Sequence, residues 1–158
     1  MASLDDLYKE IILDHYRSPR NKGELEPPAH RCEGFNPLCG DEVIVFVSLI
    51  DQKIQDIKIG GQGCSISQAS ASMMTEIIKG KSISEAEGII HAFKEMMEIY
   101  ESELSGEETD GTSSSVDLGD LEALQGVVKY PVRIKCATLA WNTLTQSINE
   151  IQDIDDSL

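Results

Sequence analysis

Residues 41–64 read DEVIVFVSLIDQKIQDIKIGGQGC, and this stretch decides the fold. Val43, Val45, Val47 and Leu49 alternate with Glu42, Ile44, Phe46 and Ser48, a period of two rich in β-branched residues that marks a strand. A turn at Asp51 to Lys53 follows, and residues 54–59 read as a second strand. So short a connection makes the pair antiparallel. Gly60, Gly61 and Gly63 then break the strand just ahead of Cys64, after which Ile66, Ala69, Ser70, Met73 and Ile77 trace a helix stopped by Gly80. Cys64 therefore marks a strand-to-helix corner.

Outward from this hairpin the chain is mostly helical. Upstream, Leu4, Leu7, Tyr8, Ile11, Ile12 and His15 recur at helical spacing behind a Ser3/Asp6 capping box, and Pro19 and Gly23 end that helix. Residues 20–37, rich in Pro, Gly and Asn, read as a loop with a short edge strand near residues 29–34. Downstream, a Ser84/Glu87 capping box opens a third helix whose apolar face is Ile90, Phe93, Met97 and Tyr100. Residues 101–115 are acidic, rich in Ser, Thr and Gly, and lack apolar periodicity, so they read as a flexible insertion. A short helix is expected over residues 117–126. Tyr130 and Pro131 interrupt the chain, and Ala137, Ala140, Leu144, Ile148 and Ile151 drive a long C-terminal helix with Cys136 in its first turn. The expected class is α+β: a small antiparallel sheet of about three strands covered by helices, one domain over residues 1–158.

Composition narrows the function. Lys and Arg number 13 against 28 Asp and Glu, and a net charge of -15 repels a phosphate backbone, which argues against nucleic acid as a partner. The first ten residues carry Asp5, Asp6 and Glu10 rather than a basic region and an apolar run, so they are no secretion signal. The longest apolar-dominated stretch, residues 43–50, is far short of the roughly 20 residues a membrane span needs. These features predict a soluble cytoplasmic protein whose four cysteines are thiols, metal ligands or redox groups rather than disulfides.

Spacing alone assigns those cysteines no role, and each taken singly reads as a small buried hydrophobe. Context distinguishes three of them. Cys39 lies in the turn Pro37-Leu38-Cys39-Gly40-Asp41, Cys64 follows three glycines, and Cys136 opens a helix. At a helix start the free N–H groups and the macrodipole favour a thiolate, the form that binds metal or attacks an electrophile. Asp41 stands two residues from Cys39, so along an extended strand both side chains project to the same face. Three sulfurs and one carboxylate complete a tetrahedral Zn²⁺ shell. Such a shell is anionic, and Arg133 and Lys135 are candidate cations to offset it, or alternate along a solvent-facing strand. Cys32 reads as a bystander thiol, and His15, His30 and His91 read as structural.

Several motifs resemble the IscU/NifU-N superfamily of iron-sulfur assembly proteins, and within it the SufU branch. They are Ile12-Leu13-Asp14-His15-Tyr16, Asn36-Pro37-Leu38-Cys39-Gly40-Asp41, Gly63-Cys64-Ser65-Ile66-Ser67 and Arg133-Ile134-Lys135-Cys136-Ala137. IscU scaffolds carry His immediately before the last cysteine, whereas this chain has Lys135 there. The resemblance implies a zinc-bound acceptor of persulfide sulfur from a PLP-dependent cysteine desulfurase of the SufS type, passing sulfur to downstream iron-sulfur assembly proteins. It also implies Cys39 as acceptor, with Asp41, Cys64 and Cys136 as its companions on zinc. Arg133 is the candidate to stabilise the released thiolate or persulfide by charge. The competing reading is a scaffold on which a [2Fe-2S] cluster is built and transferred, since soft thiolates suit both metals.

Overall fold

A computed structural model describes residues 4–37, 39–105 and 118–156. The element order is α1 (Leu4–Arg17), β1 (His30–Asn36), β2 (Asp41–Ile50), β3 (Lys53–Gln62), α2 (Ser65–Ile78), α3 (Ile83–Ser105), a 3-10 helix (Gly119–Lys129) and α4 (Pro131–Asp156). The three strands form one antiparallel sheet in the order β1-β2-β3, with helices against it.

The hairpin that decides the class is present, with one irregularity the alternation does not reveal. Ile54 and Ile57 are both fully buried although they stand three residues apart, which strict alternation forbids. The register slips between Ser48 and Leu49, a bulge that turns both isoleucines to the core. Asp51 and Gln52 carry positive φ (52° and 65°), the backbone twist of a tight two-residue hairpin turn. β3 also runs on to Gln62 rather than breaking at Gly60. Gly61 makes this possible, because a Cβ there would overlap the Glu42 carbonyl of the neighbouring strand.

One face of the sheet is dry. Val43, Val45 and Val47 from β2 and Ile54, Ile57 and Ile59 from β3 meet α2 and α4 there, while Arg31, Glu33 and Phe35 of β1 face solvent. α4 lies so close to β1 that a Cβ on Gly34 would collide with Thr143 Oγ1. Trp141 of α4 is fully buried and stacks on Phe93 of α3, ring centroids 4.4 Å apart. Its indole N–H donates to Ser70 Oγ at 3.0 Å, and Ser70 Oγ donates to the carbonyl oxygen of Ala137. These contacts fix α4, and with it Cys136, against α2.

Four boundaries differ from the sequence reading. The edge strand runs from His30 to Asn36, two residues further at its end than expected. α3 is capped by Ser82 and Glu85, which exchange N–H bonds at 3.1 and 3.2 Å, so the box lies two residues before the Ser84/Glu87 pair. Its helix extends through Ser105; the remainder of the acidic insertion, residues 106–115, lies outside the described residues, as does Ser3. α4 begins at Pro131, where proline's fixed φ and missing N–H suit the first helical position. Cys136 is therefore in the second turn rather than the first, and Arg133 and Lys135 are helical rather than strand residues.

Candidate metal-thiolate site

The site forms where the β1-β2 connection meets the starts of α2 and α4. Asn36 and Asp41 are a directly paired cross-strand couple, so the intervening turn is clamped at its base. The Cys39 N–H bonds back to the carbonyl oxygen of Asn36 at 3.3 Å, and Gly40 adopts φ +68°, a left-handed conformation that glycine enters without strain. This turn aims Cys39 at α4. The Sγ atoms of Cys39 and Cys136 are 3.2 Å apart, and the donor atoms of Cys39, Asp41 and Cys136 all lie within 4.8 Å of one another. Cys136 and Asp41 are fully buried, whereas Cys39 is half-buried.

Cys64 adjoins this group but is engaged elsewhere. It is the N-cap of α2, with extended backbone (φ -70°, ψ 167°), and its sulfur accepts the Ser67 N–H at 3.5 Å. Its own N–H donates to Asp41 Oδ1 at 2.9 Å. Of the four predicted ligands, then, three converge on one point, and the remaining one, Cys64, stands beside them, near Asp41 and Cys136.

Charge in the site follows from these contacts. Burial pushes the Asp41 carboxyl upward, but the Cys64 N–H and the side chains of Cys136, Cys64 and Ser67 together hold it below the usual carboxylate range. Burial pushes the Cys136 thiol well above its ordinary value, and the neighbouring Asp41 and Cys39 add to that. In the metal-free protein Asp41 is thus the anion and Cys136 a thiol. Arg133, exposed and one helical turn before Cys136, has its guanidinium held further in the charged form by Cys136 first, then by the fields of Cys64 and Cys39. Lys135 is exposed at the same helix start.

The mouth of the site is a hollow lined by Cys39, Cys64, Ile66, Tyr130, Val132 and Arg133. Tyr130 and Val132 are both more than half exposed, so Cys39 is reached over an apolar lip. Cys32 is buried on β1, where desolvation raises its thiol, and it takes no part in the group. His15 is buried and bonded to Ser72 Oγ at 2.8 Å, His30 bonds Glu150 at 2.6 Å, and His91 is exposed, so none of the three histidines is at the site.

Three contributors escaped the sequence reading. Gly63 is where it is because a Cβ there would lie 2.6 Å from Asp41 Oδ1 and 2.7 Å from Ser67 Oγ. Ser67 and Asn36 supply polar contacts to Cys64, Asp41 and Cys136. The signal for Asn36 was available: the spacing of the turn fixes it opposite Asp41.

Cysteine sulfurs and a carboxylate gathered where a sheet edge meets two helix starts define a soft-metal or sulfur-handling protein on an α+β layer fold. The chain belongs to the NifU-like N-terminal domain family, which it matches over residues 7–137. It is 48% identical to the zinc-dependent sulfurtransferase SufU of Bacillus subtilis, covering 93% of this chain and 92% of that one. It is 39% identical to the iron-sulfur cluster assembly scaffold protein IscU of Streptococcus pyogenes, covering 94% of this chain and 86% of the relative. Among solved structures it resembles a Fervidobacterium islandicum protein described as an iron-sulfur cluster assembly scaffold for the SUF system. The TM-score is 0.70 with 36% identity, over 92% of this chain and 98% of that one. Among the described residues no helix is long and apolar enough to cross a membrane.

Proposed function

We propose that this chain accepts sulfur from a PLP-dependent cysteine desulfurase of the SufS type onto Cys39 and carries it toward iron-sulfur cluster assembly. The observation that carries this reading is the asymmetry of the 3.2 Å Cys39–Cys136 pair: one sulfur is sealed in the core and the other faces the mouth. A buried thiol can only hold, whereas a half-exposed one on a glycine hinge can also react.

The donor set suits zinc, since Cys and Asp are among its ordinary ligands. Cys39, Asp41 and Cys136 would hold it, and Cys64 would join by turning its sulfur from the Ser67 N–H into the group. Zn²⁺ bound there would keep the sulfurs deprotonated and protected, without redox chemistry of its own. Cys39, freed from this group at the mouth, attacks the outer sulfur of the donor's persulfide as a thiolate. The donor's S–S bond breaks, a new S–S bond forms on Cys39, and the donor cysteine departs as thiolate, with no net oxidation. Arg133, next to Cys136 and in the field of Cys39, stabilises the anion on either side of that exchange.

The relatives described as scaffolds support a second reading, assembly of a [2Fe-2S] cluster on the same thiolates. Incubation with a desulfurase and cysteine, followed by mass-spectrometric mapping, separates them. One added sulfur on Cys39 is expected, and labelling confined to Cys32 or Cys136 overturns the assignment. In parallel, anaerobic iron and sulfide that yield a stable chromophore transferable intact to an acceptor protein would favour the scaffold.

A further inference from the structure

Asn36 is a buried amide that touches the reactive group. It is 6% exposed, and its Nδ2 is 3.4 Å from Asp41 Oδ2 and 3.6 Å from Cys136 Sγ, the second within hydrogen-bond reach for an atom as large as sulfur. Both neighbours are acceptors when ionised, so the amide must present its N–H groups to them; its carbonyl oxygen would set like charges face to face. The backbone of the same residue holds the Cys39 turn through the 3.3 Å bond from the Cys39 N–H.

The donors are held unevenly. Among the described residues, Asp41 receives the Cys64 N–H and the Asn36 amide and Cys136 receives the Asn36 amide, whereas the hydrogen bond at the Cys39 sulfur is the one from the Cys136 sulfur. We infer that Asn36 is a positioning residue that fastens Asp41 and Cys136 to the metal, leaving Cys39 as the ligand that exchanges. An amide N–H on a thiolate or carboxylate disperses part of its charge and fixes its direction, as outer-shell partners of metal ligands generally do. This rests on the metal-holding reading above and goes beyond it by naming what makes the ligands unequal.

The test uses Co²⁺ as a visible substitute for zinc in the full chain, with Asn36→Asp and Asn36→Ala. Asn36→Asp keeps the shape but replaces N–H donors with an acceptor, and should weaken cobalt and zinc binding about 10- to 100-fold in chelator competition, the usual range for outer-shell changes. Asn36→Ala should weaken binding about tenfold at the low end of that range. In it the sulfur-to-cobalt charge-transfer band should move to lower energy, because the thiolate loses a hydrogen bond that lowered its electron pair. Asn36→Ser, which keeps a short donor, should recover part of the affinity and part of the band position. Circular dichroism of the metal-free variants checks that the fold persists; should Asn36→Asp unfold, the Ala and Ser pair decides. Binding within twofold of the unaltered chain in those variants, with the band unmoved, overturns the role of Asn36. Absence of any sulfur-to-cobalt band in the unaltered chain would instead remove the metal site itself.

Discussion

The Cys39 and Cys136 sulfurs lie 3.2 Å apart although 97 residues separate them in the chain. That proximity is produced by two independent devices, a clamped turn at the end of the β1-β2 hairpin and a proline-started helix packed directly on β1 at Gly34.

Gly63→Ala should strip the site without unfolding the protein. The new Cβ lies within 2.7 Å of both Asp41 Oδ1 and Ser67 Oγ, so the carboxylate must shift away from the two sulfurs. Metal affinity measured by chelator competition should fall at least tenfold, as for other losses of ligand support, while the thermal midpoint of the metal-free chain moves by only a few degrees.

Gly34→Val acts on the scaffold instead. Its side chain would overlap Thr143 Oγ1, forcing α4 off β1, and overpacking of this kind destabilises by about 1–3 kcal/mol. Urea denaturation of the metal-free chain reads this directly. Ser82→Ala, by contrast, removes the α3 cap and should lower stability by about 1 kcal/mol while leaving metal content unchanged.

Arg133→Ala should slow sulfur acceptance while bound zinc stays near one per chain. The guanidinium is exposed and lies in the field of the Cys136, Cys64 and Cys39 sulfurs, where it supplies charge without being a ligand. Desulfurase-coupled transfer rates and metal analysis of the same sample check it; concurrent loss of zinc would assign Arg133 to holding the site.

Metal uptake should release protons. Burial raises the Cys136 thiol, so it is protonated in the metal-free state and must ionise to bind. Lower pH favours the protonated thiol, so affinity falls as pH falls, by roughly tenfold per pH unit for each proton released. Zinc titrations at pH 6 and pH 8, or calorimetry in two buffers of different ionisation enthalpy, measure the number.

The class of fold was legible because its strands carry strong alternation: Val43, Val45 and Val47 point inward as the sequence pattern requires. What escaped was decided by single residues acting through space. The bulge opposite Ser48 turns Ile54 and Ile57 to the same side, and no local propensity encodes it. The start of α4 at Pro131 was misread because proline breaks helices in their interior but begins them at their first position. At the site, Cys39 and Asp41 were legible from their turn and Cys136 from its motif. The cap made by Cys64 was not, since a cysteine at a helix start reads equally as ligand or cap. Asn36 and Gly63 had sequence context but no chemistry of their own; their roles exist only once Asp41 and Cys136 are beside them.

Extended X-ray absorption at the zinc edge of the purified, full-length chain tests the central claim most directly. Three sulfurs at about 2.3 Å and one oxygen at about 2.0–2.2 Å are predicted, with one sulfur lost in Cys39→Ser. A shell dominated by nitrogen, or one unchanged by that substitution, would contradict it.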